Sequence, residues 1–313
     1  MFDFGEPLVS VIIPTYNREK IISNSIFSVL NQTYKNFELI IVDDCSTDNT
    51  VDVVKKINDP RIVVLRQPQN MGACAARNRG VDESKGSIIA FQDSDDLWNE
   101  RKLERQISEL YKNHADITFC SAQRIMNGST EFLPEVRGSG FIDKRKLQTK
   151  SMVSTQMLVG FSECFKAEKF DERFPRYQDY DLVIRLAEKY KFYYVDEPLV
   201  SILVQFDSIT NDSKKLITAR KLLIEKYADI MADNKDMKCD MFKSLLHNEA
   251  KNGISFQTQF AARLAGARVS GGSAVRSLRA LAPDRKRRQG GGHAPPRDSS
   301  GMRQRAESGA FKD

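Results

Sequence analysis

The first 120 residues alternate short apolar runs with segments of helical periodicity. The apolar runs are five or six residues long, rich in Val, Ile and Phe, and predicted to be strands: Leu8–Ile13, Phe37–Val42, Arg61–Leu65, Ser87–Phe91 and Ile117–Ser121. The segments between them place apolar residues three or four apart, as an amphipathic helix does. Since parallel strands need a crossover, usually a helix, this alternation predicts an α/β fold. It would contain a mostly parallel sheet covered by helices on both faces.

Beyond residue 121 the alternation is less regular. The stretch Gly128–Gly140 is predicted to be a loop. The periodicity then predicts a helix at Gln178–Lys189, a strand at Phe192–Val195 and a surface helix at Leu216–Met231. The chain is long enough for one large domain or two small ones.

The charge of the chain divides at about residue 254. Residues 255–313 carry 12 basic and 4 acidic side chains and no Ile or Asn, whereas the body carries 36 basic and 38 acidic side chains. Low apolar content with high net charge predicts disorder, most clearly over 283–313. A basic nucleic-acid binder built around a cationic surface is therefore disfavoured, and no specific nucleic-acid partner is expected. The predicted division is a sheet domain at 1–212, with halves 1–121 and 122–212, a helical extension at 213–254, and a basic tail at 255–313.

The cysteines and histidines limit the chemistry of any metal site. Five cysteines occur without a Cys-x-x-Cys pair, and the three histidines are far apart. We therefore expect free thiols in a reducing, cytoplasmic compartment and a metal held mainly by carboxylates, hence a hard cation. No apolar run approaches the ~20 residues that span a bilayer, and the N-terminus lacks the pattern of a signal peptide.

Aspartates follow two of the predicted strands at the point where each strand ends. Asp43 and Asp44 follow the second strand, and Asp93, Asp95 and Asp96 follow the fourth. Open α/β sheets bind ligands at this edge. Three carboxylates within four residues repel one another unless a cation neutralises them, so an Asp-x-Asp pair suits Mg²⁺ or Mn²⁺. A solvated turn with helix-capping aspartates explains the same residues about equally well when the block is taken alone.

Two further segments contain candidate site residues. Arg77 lies in a helix of small residues and could reach a diphosphate, although an exposed arginine is the simpler interpretation. Asp179 and Asp181 are two apart on a helix, so one can face a cleft as a general base while the other caps the helix or faces solvent. The chain contains no Walker sequence and no Gly-x-Gly-x-x-Gly, which disfavours P-loop and dinucleotide-binding enzymes.

In this order and spacing, the motifs resemble those of family 2 glycosyltransferases with the GT-A fold. The resemblance covers about residues 8–210 and depends on five elements, which are Val9–Arg18, Ile41–Asp48, Gly72–Gly80, Asp93–Asp96 and Gln178–Leu182. It implies a nucleotide-binding half at 1–121 and an acceptor half at 122–212.

The resemblance implies a nucleotide pocket at the ends of the first two strands. Pro14, Thr15 and Tyr16 would line it, with Tyr16 near the base. Asp44 would accept a hydrogen bond from the base, as uracil recognition requires, and Arg77 would lie along the nucleotide.

It also implies a metal site and a catalytic base. Asp95 would be the main metal ligand, and Asp93 would touch the ribose or the metal shell. Asp179 matches the catalytic base and follows Gln178, where the family often has Glu. Many members carry His at the position of Gln205, so a neutral amide there would lower metal affinity.

The implied activity is an inverting, metal-dependent transfer. A nucleotide-diphosphate sugar, of the UDP type, would donate its sugar with Mn²⁺ or Mg²⁺ to a hydroxyl of a glycan or lipid-linked acceptor. Bacterial surface polysaccharide synthesis is the implied setting. The basic tail would offer peripheral contact with the inner face of the cell membrane.

Two other classes of protein remain open at the level of sequence. A nucleotidyltransferase on a similar sheet would also use carboxylate-held Mg²⁺, but its first strand should lead into a Gly-rich loop, and Pro14–Arg18 is not Gly-rich. A non-catalytic nucleotide- or glycan-binding protein could use Arg285–Arg288 to tether itself to anionic membrane or nucleic acid. A solvated, disordered tail is the simpler interpretation of those arginines.

Overall fold

The computed structural model describes residues 5–126, 129–203 and 213–251. Within these ranges one sheet contains ten strands, namely β1 (Val9–Thr15), β2 (Phe37–Asp43), β3 (Ile62–Arg66), β4 (Ile88–Phe91), β5 (Leu97–Trp98), β6 (Ile117–Met126), β7 (Ser129–Leu133), β8 (Gly140–Phe141), β9 (Leu158–Phe161) and β10 (Phe192–Leu203). Gln205 and the basic tail 255–313 lie outside the described residues.

Helices connect and cover these strands. In the described part of the chain they are α1 (Ile22–Leu30), α2 (Thr50–Lys55), α3 (Ala73–Glu83), α4 (Lys102–Lys112), α5 (Lys144–Thr149), α6 (Ser162–Ala167), α7 (Gln178–Ala187), α8 (Ser213–Lys226), α9 (Ala228–Asp233) and α10 (Lys235–Lys251), with a short 3₁₀ turn at Thr155–Met157. Among these, no helix combines the length and the apolar character needed to cross a lipid bilayer.

The first half of the sheet has the predicted parallel arrangement. Strands β3, β2, β1 and β4 lie side by side in that order, and every neighbouring pair is parallel. The register pairs Thr15 with Asp43, so the carboxyl ends of β1 and β2 meet at one edge. The predicted α/β fold with helices flanking a sheet is confirmed.

Helix α3 lies close against this half of the sheet because its residues are small. A Cβ atom built on Gly80 would stand 2.5 Å from Cγ2 of Ile12, which is fully buried in β1. Real Cβ atoms do not approach that closely, so glycine is required for the helix to pack at this depth. This contact fixes the position of α3, and with it the position of Arg77, relative to β1.

The second half of the sheet is mixed. Strand β9 runs antiparallel to both β4 and β6, whereas β6 and β10 are parallel to each other. The loop predicted at Gly128–Gly140 is wrong in part, because Ser129–Leu133 forms β7 and pairs antiparallel with β6. Four of the five side chains of β7 are exposed, so this strand is defined by backbone pairing and carries no hydrophobic pattern.

Two predicted elements begin or end at different residues in the structure. The strand predicted at Phe192–Val195 continues to Leu203. Its register against β6 shifts on either side of Pro198, and these shifts interrupt the alternation of its side chains. The predicted surface helix Leu216–Met231 is two helices, α8 and α9, separated at Tyr227. It is not simply a surface helix, because Leu223 and Ile224 are fully buried.

Candidate functional site

The ends of β1, β2 and β4 form one polar edge of the sheet. The backbone N–H of Asp44 donates to the carbonyl of Thr15 at 2.8 Å, and the N–H of Gln92 donates to the carbonyl of Ile12 at 2.9 Å. The segments that leave these three strands therefore begin side by side. This is the edge at which α/β sheets bind ligands.

At the end of β1, two buried residues are followed by an exposed aromatic ring. Pro14 and Thr15 are buried, whereas Tyr16 is 41% exposed. Asn17 adopts the left-handed region, at φ 50°, and its Oδ1 accepts from the N–H of Thr47 at 2.8 Å. The turn is thereby tied to the loop after β2, and the ring of Tyr16 is available to a planar ligand.

Asp44 is buried and holds the segment that leads into α3. Its Oδ1 accepts from the N–H of Met71 at 2.8 Å, and its Oδ2 accepts from the N–H of Gly72 at 2.7 Å. Gly72 has φ 89°, a conformation that favours glycine. Each carboxylate oxygen can accept a second hydrogen bond, so Asp44 remains able to accept from a ligand.

Arg77 is a buried bridge between two parts of the site. Its Nη2 donates to Oδ1 of Asp93 at 2.7 Å, and its Nη1 donates to Oε1 of Gln178 at 3.0 Å. The guanidinium also lies over the ring of Phe170, 5.4 Å from its centroid. Arg77 thus joins α3, the turn after β4 and the start of α7. It is not the exposed arginine of the simpler interpretation.

The three aspartates after β4 occupy two different environments. The side chains of Asp93 and Asp95 are 25% and 28% exposed, and Oδ2 of Asp95 lies 3.8 Å from Nη2 of Arg18. Asp96 is buried, and it accepts from the amide of Gln156 at 2.7 Å and from the N–H of Leu203 at 3.0 Å. Burial, followed by the charges of Asp93 and Asp95, holds the pKa of Asp96 well above its usual range.

This arrangement fits a hard divalent cation bound through few protein ligands. In the described ranges no group of three or more His, Cys, Asp or Glu side chains could hold a metal ion. Asp93 and Asp95 nevertheless offer carboxylate oxygens that are partly open to solvent. Mg²⁺ is commonly bound through one or two carboxylates, with water and phosphate oxygens completing the shell, and this donor set suits Mn²⁺ too.

Asp179 lies in the first turn of α7, next to the bridge that Arg77 makes. Its Oδ1 accepts from the N–H of Tyr180 at 2.8 Å. Burial raises the pKa of Asp179 to about 6, with a smaller rise from the charge of Asp93 and an opposing effect from Arg77. A carboxylate with a pKa near neutrality is suited to accept a proton at physiological pH.

Asp181 does not cap the helix or face solvent, which corrects the prediction for this residue. Its side chain is fully buried, with Oδ2 3.0 Å from Nη2 of Arg185 and Oδ1 2.7 Å from Nζ of Lys226. A buried carboxylate needs such partners, because an unpaired charge in the protein interior is costly. Asp181 therefore has a structural environment, and Asp179 alone of the two lies beside Arg77.

The structure brings most of the predicted site residues to one edge of the sheet. Arg77, Asp93 and the start of α7 form one connected group, and Asp44 lies at the adjacent end of β2. The sequence indicated no role for Arg18, whose partner Asp95 belongs to a distant segment. A long-range ion pair leaves no local pattern, so only the fold shows it.

Comparison with known proteins places these features in context. A family model described as glycosyl transferase family 2 matches residues 10–172. The UDP-Glc:alpha-D-GlcNAc-diphosphoundecaprenol beta-1,3-glucosyltransferase WfgD of Escherichia coli is 47% identical over 122 residues, which are 39% of this chain and 48% of that protein. An uncharacterised glycosyltransferase of Methanocaldococcus jannaschii is 36% identical over 207 residues, covering 63% of this chain and 71% of that protein.

Among solved structures, S. aureus TarS residues 1–349 in complex with UDP-GlcNAc has a similar fold. The TM-score is 0.63 at 20% identity, over 87% of this chain and 80% of that one. This chain spans about half the length of several curated relatives that it matches, WfgD among them.

Proposed function

The chain belongs to glycosyl transferase family 2, and on that premise we propose that it moves a sugar from a nucleotide-diphosphate sugar to an acceptor hydroxyl, with inversion of the anomeric carbon. The observation that carries this proposal is the group around Arg77. One guanidinium bonds to Asp93, in the proposed donor site, and to Gln178, which directly precedes the proposed base Asp179. Donor binding and proton transfer would thus occur side by side.

The proposed donor is a UDP-sugar, bound at the ends of β1 and β2. Pro14 and Thr15 would form the wall of the pocket, and the exposed ring of Tyr16 would stack near the base. Asp44 would accept from the base N–H with the lone pairs that Met71 and Gly72 leave open. The proposal is supported by the names of two similar proteins, since WfgD is named for UDP-Glc and the TarS structure holds UDP-GlcNAc.

The proposed cofactor is Mn²⁺ or Mg²⁺, with Asp95 as the main ligand and Asp93 in contact with the ribose or the metal shell. When bound, the cation would neutralise the negative charge that develops on the departing diphosphate. Arg77 would hold Asp93 in place from the buried side, because its guanidinium already bonds to Oδ1 of that residue.

Asp179 is the proposed general base. It would accept the proton of the acceptor hydroxyl while the hydroxyl oxygen attacks the anomeric carbon from the face opposite the leaving diphosphate. One displacement inverts that carbon, and no covalent sugar–protein intermediate is needed. Arg77, on one side of Asp179, would favour the ionised carboxylate in which the base must start.

We further propose that the acceptor is a glycan or a lipid-linked sugar in bacterial surface polysaccharide synthesis. Support comes from the printed name of WfgD, whose acceptor is a diphosphoundecaprenol-linked GlcNAc. The acceptor half would be 122–212, followed by the helical extension 213–254. Peripheral contact with the cell membrane, including contact through the tail 255–313, belongs to this proposal as well.

The turnover rate should depend on pH through Asp179. Since the pKa of this carboxyl is raised to about 6, it is largely ionised above pH 7 and largely protonated below pH 5. We expect kcat to fall about tenfold for each pH unit below about 6 and to level off above 7. Turnover with saturating donor and acceptor, measured from pH 4.5 to 8, tests this. A flat profile across pH 6, with donor binding intact, would contradict it.

A screen of nucleotide sugars tests the proposed function as a whole. The full chain is incubated with UDP-, GDP- and dTDP-sugars and either Mn²⁺ or Mg²⁺, and release of the nucleotide diphosphate is followed. We expect one UDP-sugar to be hydrolysed above background and the signal to disappear with EDTA. Release from none of the donors, or release that survives EDTA unchanged, would count against the proposal.

A further inference from the structure

Helix α7, which carries Asp179, is entered through an unusual backbone conformation. Tyr177, the residue before the helix, has φ 61° and ψ 30°, in the left-handed region. For a residue with a Cβ atom this conformation costs free energy and persists only where the surroundings hold it. The direction in which the chain enters α7 therefore depends on what holds Tyr177.

Arg220 of helix α8 holds Tyr177 in two ways. Its Nη2 donates to the phenol oxygen of Tyr177 at 2.9 Å, and its guanidinium carbon lies 4.6 Å from the centroid of the same ring. Arg220 is itself only 8% exposed and is fixed by Asp240 and Met241 of α10, at 3.4 Å and 3.1 Å. A buried guanidinium with fixed partners is a rigid support rather than a flexible surface contact.

The end of α8 makes a second connection to α7. Nζ of Lys226 lies 2.7 Å from Oδ1 of Asp181, and the hydroxyl of Tyr227, the next residue, donates to the same oxygen at 2.7 Å. Lys226 also contacts Asp171, again at 2.7 Å. Helix α8 and Tyr227 thus contact Tyr177, two residues before Asp179, and Asp181, two residues after it.

We propose that Arg220 is a positioning residue for the transfer reaction, which keeps Tyr177 in its left-handed conformation so that α7 presents Asp179 to the acceptor. This proposal rests on the proposed function of Asp179 as the base. The contact lies beyond residues 10–172, the part matched to the family model. It gives the helical region after the sheet domain a role in catalysis, although it contacts no substrate.

Arg220 could instead contribute only to folding, and kinetics separates the two roles. A purely structural contact would change the free energy of unfolding and leave kcat of the folded protein unchanged. A positioning contact would lower kcat with little change in donor affinity. Asp44 and Asp95 lie on other elements, and Asp93 is linked to α7 only indirectly, through Arg77 and Gln178.

The test compares Arg220→Met and Arg220→Lys with the parent in the full chain. For Arg220→Met we expect kcat to fall at least about tenfold, with the dissociation constant for the nucleotide within about twofold of the parent. Arg220→Lys keeps a cation over the ring of Tyr177 and should recover part of the loss. Arg105→Met is the matched control, because Arg105 pairs with Glu197 by a bidentate contact away from Asp179.

Tyr177→Phe is a second, milder variant. It tests the positioning role of Arg220 even if Arg220→Met does not fold. It keeps the ring and removes the hydroxyl that accepts from Arg220, so we expect a smaller loss of kcat, about threefold or more. Combined with Arg220→Met, it should add little further loss, since both changes remove the same hydrogen bond.

The outcomes separate this proposal from the proposed function. If the parent transfers sugar, Asp179→Asn does not, and both Arg220→Met and Tyr177→Phe keep the parent kcat, the positioning role is wrong and the proposed function stands. Loss of donor affinity rather than kcat in Arg220→Met would also overturn the positioning role. If Asp179→Asn turns over like the parent, or the parent transfers no sugar, the proposed function fails and this inference fails with it.

Discussion

Replacement of Asp179 by Asn is expected to lower kcat for sugar transfer about 10²- to 10⁴-fold, the range that a general base contributes. Asn is nearly isosteric with Asp, so the hydrogen bond from the N–H of Tyr180 can be kept by the amide oxygen. What is lost is the ability to accept a proton. Because Asp179 is not among the proposed donor ligands, the affinity for nucleotide should stay within about twofold.

The measurement pairs turnover with calorimetric binding of the nucleotide diphosphate. Asp116→Asn is the matched control, since Asp116 immediately precedes β6 and accepts from the backbone N–H of Lys191, at the opposite edge of the sheet. We expect its turnover to equal that of the parent. Parent-like transfer by Asp179→Asn would show that another group accepts the proton.

Replacement of Asp95 by Ala is expected to remove the effect of the cation on donor binding. In the parent, Mn²⁺ should strengthen UDP binding, because Asp95 and Asp93 would hold the cation and its positive charge would offset the negative charge of the diphosphate. Without the Asp95 carboxylate, the affinity for UDP in the presence of Mn²⁺ should fall at least about 10²-fold. Removing a residue that only supports a metal ligand already costs up to about 10²-fold, and Asp95 is proposed as a ligand itself. The affinity of the variant should then approach that of the parent in EDTA.

Calorimetric titration of UDP with Mn²⁺ and with EDTA checks this for both proteins. Asp82→Ala is a suitable control, because Asp82 is an exposed acid of α3 that pairs with Lys169. Like Asp95→Ala, Asp82→Ala removes one negative charge, but it does so outside the Asp93–Asp96 turn. Undiminished Mn²⁺-dependent binding by Asp95→Ala would rule out Asp95 as the main ligand.

The parallel half of the fold could be predicted because its signals are local. Buried parallel strands consist almost wholly of apolar residues, as in Val9–Ile13 and Phe37–Val42, and the helices between them are amphipathic. Each strand ends where polar residues begin, so the positions of Asp44 and Asp93 at one edge followed from the order of the elements.

The mixed half could be predicted less well, because its strands depend on partners distant in sequence. Strand β7 exposes most of its side chains, and β10 passes through a bulge around Pro198. Strand β7, and β10 beyond the predicted stretch Phe192–Val195, lack the alternating pattern that marks a strand in isolation. These parts of the sheet are defined by their pairing with β6, which a local pattern does not contain.

The candidate site shows the same limit. The family resemblance indicated Arg77, but it did not show that Arg77 bonds to Gln178, which is 101 residues away. Asp181 looked equivalent to Asp179 by spacing, and only the fold shows that Lys226 and Arg185 neutralise it. Arg220 had no sequence signal at all, because its role depends on the backbone conformation of Tyr177.

The most direct test of the whole account is a crystal structure of the full chain with UDP and Mn²⁺, with the cation located by its anomalous scattering. We expect the Mn²⁺ peak in direct contact with the Asp95 carboxylate and the diphosphate, and the uracil ring between Tyr16 and Asp44. A nucleotide bound at another edge of the sheet, or a Mn²⁺ ion that does not contact Asp95 or Asp93, would contradict it.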